Sequence, residues 1–194
     1  MKYFFQCLTI LAVTFMGCQS NEPSEPVVPQ VVKVSNDKVT FDDGSELALP
    51  AGETVLLAVS HGASDFNTAQ PTFNEEGVKQ AARLDSLLGA VTFKSILSTT
   101  SNLSTETIKE LNADKQLPIF TFDSGSVSNM SRFLFELEKG NKFLMVGDPT
   151  TLGNVLNQFD SSFEAASINK KNYSGFYIVT GSGLGACKVY PYRY

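Results

Sequence analysis

The chain reads as an α/β protein with a mainly parallel sheet covered by helices on both faces and small antiparallel elements at either end. Two observations lead there. Short continuous apolar runs such as "TVLLAVS" (54–60) and "KFLMVGD" (142–148) suit strands buried on both faces, and segments of helical periodicity separate them. Strands alternating with amphipathic helices imply crossover connections and hence parallel pairing.

The elements follow in order. "VVKVSNDKVTFDDGSELAL" (31–49) alternates apolar and polar residues around Asp43-Gly44, a turn signal, so an antiparallel hairpin opens the domain. Pro50 and Gly52 end it. After the 54–60 strand, Val78, Ala81, Leu84 and Leu88 mark one face of a helix able to start at Asn74. "FKSILST" is the second strand, followed by a short helix carrying Ile108 and Leu111, and "LPIFTFD" is the third. Met130, Phe133, Leu134 and Leu137 give the next helix its apolar face. The 142–148 strand then leads to a helix with Leu152, Val155, Leu156 and Phe159 on one face. Asp148-Pro149 fits an N-cap with proline in the first helical position. In the tail, Gly181, Gly183 and Ala186 match G-x-G-x-x-A, but too little chain follows for the helix and strand a dinucleotide site needs. The segment is expected to be a glycine-rich hairpin turn between two antiparallel edge strands.

The 194 residues, 42% hydrophobic with net charge −5, suit one domain plus appended sequence. No Lys/Arg run offers an electrostatic footprint for nucleic acid. The first seventeen residues have one lysine and an apolar run from Tyr3 to Met16, too short to span a bilayer core, and read as an export signal. "FMGC" resembles the lipobox of bacterial lipoprotein signals, which implies acylation at Cys18 and a membrane anchor in the cell envelope. Residues 18–30, rich in Pro, Ser and Glu, read as a flexible tether, and 31–194 as the domain. Removal of Cys7 and lipidation of Cys18 would leave Cys187 alone, so no internal disulfide is expected. One His and one Cys cannot build a structural zinc site, and no metal or cofactor is expected.

Ligands of open α/β sheets bind beyond the carboxyl ends of the strands. Ser60-His61-Gly62, Ser98 to Thr105 and Gly147-Asp148-Pro149 all fall there, and are expected to face one pocket. His61 is the only histidine. The order "LLAVSHG", "FNEEGVKQAARLDSLL", "SILSTTSNLSTETI", "KFLMVGDPTTLGNVLN", "YSGFYIVT" resembles the histidine phosphatase superfamily, with its phosphoglycerate-mutase-like fold. The resemblance covers about Glu53 to Thr180. It puts the family's phosphoryl-accepting nucleophile on His61. The family's two arginines fall on Ser60 and Leu103, and its second histidine on Asp148, so most of the implied catalytic set is missing.

Phosphoryl transfer needs fixed positive charge around the equatorial oxygens, and each oriented donor lost costs on the order of 10²–10³ in rate. A carboxylate at 148 also repels a phosphate dianion. Ser60 and His61 point to opposite faces of an extended strand and no G-x-S-x-G elbow occurs, which argues against a serine hydrolase. Three functions stay open. The chain is a pseudophosphatase or binding module for a protein, or for a small polar or phosphorylated ligand. Alternatively it is an active phosphomonoesterase using His61, with lysines such as Lys94 or Lys170 replacing the arginines. The third reading is a polar-ligand or glycan binder using the Ser/Thr-rich rim.

Overall fold

The computed structural model describes residues 28–65, 70–164, 168 and 173–194. The export segment, Cys18, most of the tether and Lys170 lie outside the described residues.

Three short strands, β1 (Val31–Val34), β2 (Lys38–Phe41) and β3 (Glu46–Ala48), form an antiparallel sheet. Gly44, at φ 81°, occupies the left-handed conformation that the second turn requires. β4 (Thr54–Ser60) is buried along its whole length. A small hairpin, β5 (Ser64–Asp65) with β6 (Thr72–Phe73), precedes α1 (Glu75–Leu88), whose N-cap Asn74 accepts a hydrogen bond from the Gly77 amide. There follow β7 (Ser95–Ser98), α2 (Asn102–Lys115), β8 (Ile119–Thr121), α3 (Val127–Arg132), β9 (Lys142–Gly147), α4 (Pro149–Phe159), β10 (Gly175–Gly181) and β11 (Cys187–Arg193).

The main sheet has the order β11-β10-β4-β9-β7-β8. β4, β9, β7 and β8 run parallel, and β10 and β11 continue the sheet antiparallel. The glycine-rich segment is therefore a hairpin turn, as its sequence suggested, but β10 lies inside the sheet and only β11 is an edge. Pro191, with no N–H to offer a neighbour, suits that edge. Strand alternation divides the core in two. Leu57, Val59, Ile96 and Leu144 face α1, α2 and the small sheet, while Leu56, Leu97, Phe143 and Met145 face α3 and α4.

Two helical positions depart from the periodic reading. Val78 is 58% exposed, and the buried stripe of α1 runs through Gly77, Ala81, Leu84 and Leu88 instead. Gly77 takes the inward place because the chain after β4 presses on this turn, where a Cβ would overlap the Ala63 carbonyl oxygen. In α3 the last turn widens into a π-turn over Phe133–Leu137, closed by the Glu138 amide on the Phe133 carbonyl. The additional residue in that turn swings Leu137 outward to 66% exposure and buries Phe135. The helix carrying Ile108 and Leu111, expected to be short, runs to fourteen residues.

Candidate functional site

The three strand-end segments do meet. The His61 amide donates to the Gly147 carbonyl at 2.9 Å, which ties the end of β4 to the end of β9. The Thr99 amide donates to Val146 O, linking the end of β7 to the same strand. Gly62 N donates to the Thr107 hydroxyl (3.1 Å), which in turn donates to the Leu103 carbonyl (2.7 Å). Ala63 N is bound by Gln80 Oε1 and Ala63 O by the Asn74 amide. Every backbone amide from His61 to Ala63 is thereby held by a different element, so this turn is rigid.

His61 is 2% exposed. Its Nδ1 lies 2.9 Å from the Gly62 carbonyl, which can only accept, so Nδ1 carries the proton and the neutral ring keeps its lone pair on Nε2. Tyr173 stacks on the imidazole, ring centroids 5.5 Å apart and planes 29° apart. Burial pushes the imidazole below its ordinary range. The bond to Gly62 and the negative charge of Asp148 oppose that shift, and the burial effect wins.

The remaining sequence-derived positions have specific partners. Asp148 caps α4, its Oδ1 accepting the Thr151 amide at 2.9 Å, with Pro149 in the first helical position. Its carboxylate thus satisfies the helix terminus that could otherwise receive an anion. Ser60 is wholly buried, and its Oγ has no hydrogen-bond partner among the described residues. It faces β10: a Cβ built on Gly175 would lie 2.9 Å from Ser60 Oγ and 2.6 Å from the Tyr177 hydroxyl. Leu103 is buried in the first turn of α2 and contributes to a cleft of about 370 Å³. Pro71, Phe73, Val78, Asn102 and Glu106 also line that cleft, whereas His61 is not among its described lining residues.

No arginine reaches this region through a described contact. Arg83 binds the Val31 carbonyl and Arg132 pairs with Glu136, while Arg193 lies at the end of the β11 edge. Lys94 precedes β7, at the opposite end of the sheet from His61, and pairs with Glu138. It cannot stand in for a missing arginine.

Thr107, Tyr173 and Tyr194 escaped the sequence reading, whereas Thr99 and Ser104 lie in the Ser98 to Thr105 segment it named. Thr107 is the bridge between Gly62 and α2. Thr99 and Ser104 share a buried hydroxyl–hydroxyl hydrogen bond of 2.7 Å. The Tyr194 hydroxyl donates to the Ser60 carbonyl at 3.1 Å. Thr99, Ser104 and Thr107 lie in the rim stretch and the helix after it, where their hydroxyl content was the available signal. For Tyr173 and Tyr194 no local signal existed.

No family model matches the chain, and no curated protein matches it in sequence. Solved structures do match in fold. A protein histidine phosphatase SixA complexed with tungstate superposes with a TM-score of 0.60 at 14% identity, over 72% of this chain and 96% of that one. The alpha-ribazole phosphatase from Shigella flexneri gives 0.58 at 14% identity, over 72% and 96%. A mycobacterial glucosyl-3-phosphoglycerate phosphatase gives 0.51 at 10% identity, over 73% and 98%. The chain therefore has the phosphoglycerate-mutase-like α/β fold of the histidine phosphatases.

Proposed function

We propose that this chain is an exported, lipid-anchored member of the histidine phosphatase superfamily that no longer transfers phosphate and serves as a binding module in the cell envelope. The observation that carries this reading is the setting of His61. Its ring is sealed beneath Tyr173 at 2% exposure, and the one charged side chain described as acting on it is the carboxylate of Asp148. An imidazole with a free Nε2 can attack phosphorus, but no described cation stabilises the equatorial oxygens, and Asp148 opposes their charge. The cleft beside Leu103, lined by Pro71, Phe73, Val78, Asn102 and Glu106, supports a ligand without negative charge. Anchoring rests on the "FMGC" resemblance and on the tether that follows Cys18.

The test compares hydrolysis of an aryl phosphate by the parent and its His61→Ala variant from pH 5 to 8. Equal rates support the reading, and a His61-dependent turnover overturns it. A second arm installs Leu103→Arg and Asp148→His. Ser60 is left alone, because a guanidinium there would be buried without a partner against Gly175 and Tyr177. Vanadate should raise the thermal midpoint of the double variant and leave the parent unchanged. For the anchor, the full chain should partition with membranes, and Cys18→Ser should abolish that partition or leave an uncleaved precursor.

A further inference from the structure

The two edges of the main sheet are finished differently. At β11, Pro191 removes a donor, Gln30 forms a bridge with Arg193, and Phe41 of the small sheet stacks on Tyr192 with centroids 4.2 Å apart. At the other edge nothing among the described residues covers β8. Its three residues are all exposed, and Ile119 and Phe120 are each 45% exposed. Leu137, turned outward by the π-turn, and Phe133, whose ring centroid is 5.3 Å from that of Phe120, extend this apolar strip on the adjoining helix. Apolar side chains along an unpaired strand mark a pairing surface.

Pairing with β7 determines which peptide groups remain. Ile96 N donates to Pro118 O and Phe122 N donates to Ser98 O, with Leu97 opposite Phe120. Peptide direction alternates along a strand, so the N–H and C=O of Ile119 and Thr121 point away from β7, toward open solvent. Those four groups match a second copy of themselves. If an antiparallel β8 from another molecule is centred on Phe120, Ile119 faces the other Thr121 and each pair exchanges two hydrogen bonds. The two Phe120 residues then oppose each other in the non-hydrogen-bonded position, where side chains come closest.

The helix beside the strand is self-complementary in charge. Arg132 and Glu136 stand one turn apart, 69% and 68% exposed, next to Phe133 and Leu137. An antiparallel copy of this helix brings Glu136 of one molecule toward Arg132 of the other, whereas a parallel copy would oppose like charges. The geometry points to a second copy of this chain as the occupant: a two-fold dimer in which β8 pairs with β8 and joins the two sheets into one of twelve strands.

The register makes the test specific. In the full chain carrying Cys7→Ser, Cys18→Ser and Cys187→Ser, three single variants are compared under mild oxidation: Phe120→Cys, Ile119→Cys and Thr121→Cys. Directly opposed antiparallel residues have Cα atoms about 4.5–5.5 Å apart, within disulfide reach. Phe120→Cys should form a disulfide-linked dimer. Ile119→Cys and Thr121→Cys should each give little alone and cross-link efficiently when mixed. Adding Phe120→Lys to that mixture should abolish the product, with the circular dichroism of the variant unchanged. Absence of cross-linking at Phe120→Cys overturns the proposal. So does equal cross-linking of all three singles and of Leu184→Cys, an exposed apolar position on the β10–β11 turn, because that indicates random collision.

Discussion

Replacing Thr107 by valine tests whether the site is held by its hydroxyl bridge. Valine keeps the shape and removes only the oxygen, so no cavity forms and the effect isolates two hydrogen bonds. Of these, the bond to the Leu103 carbonyl (2.7 Å) is the lesser loss, since that carbonyl keeps the helical amide of residue 107. The bond from Gly62 N (3.1 Å) matters more, because Gly62 and Thr107 are both buried and the amide is left without an acceptor. An orphaned buried donor costs about 1–3 kcal/mol. At about 2–4 °C per kcal/mol for a chain of this length, thermal unfolding should move by several degrees. Urea unfolding at unchanged m-value measures the loss, and faster exchange of the Gly62 amide locates it. Thr105→Val is the control, because that exposed hydroxyl makes only a 3.4 Å contact to Ser101 O. A Thr107→Val stability within about 0.5 kcal/mol of the parent would refute the bridge as the element that fixes the turn after β4.

Three further outcomes are expected. Since His61 is the only histidine, its ring resonances can be followed without ambiguity: the midpoint should lie below the ordinary imidazole value, and Asp148→Asn should lower it further. The unfolded chain then takes up a proton that the folded chain refuses, so this group lowers stability as pH falls below about 6.5 and has no effect above it. Asp148→Ala should cost about 1 kcal/mol through loss of the α4 cap, and equal stability of the two proteins would count against that role. Asp160, held down to about 2 by Ser162 and assisted by the Val189 amide and Lys188, should stabilise the fold above pH 4. That contribution disappears as pH falls from about 4 toward 2, so the stability gap between the parent and Asp160→Asn should close over the same range.

The layered architecture was legible because it rests on local signals. Strands buried on both faces must be continuously apolar, and α4 shows its cap Asp148, its proline and the buried Leu152, Val155, Leu156 and Phe159 within one short stretch. Positions set by tertiary contact were not legible. The 3.6-residue period favours Val78 over Gly77, and only the backbone of residues 61–63 explains why the helix turns its glycine inward. Leu137 fits the same period until the π-turn inserts a residue, which no propensity in "FLFEL" announces. At the site, the clustering of three strand ends followed from the topology of α/β sheets. The ring over His61 comes from a residue more than a hundred positions away, and its approach depends on how β10 enters the sheet.

The position of β4 has a consequence for how the chain reaches its native state. Val55 pairs with Lys142 on one side, and Thr54 and Val59 pair with Gly181 and Phe176 on the other. Both partners of the most buried strand lie roughly ninety to one hundred and thirty residues downstream. Loop-closure entropy must be met before any of those pairings gives a return, so folding is expected to be slow for a chain of this size. Until β9 and β10 are available, "TVLLAVS" stays an unpaired apolar segment, open to capture by a chaperone. The export proposed above would gain from that delay, since translocation needs an extended chain and the strand that would start the sheet has nothing to pair with.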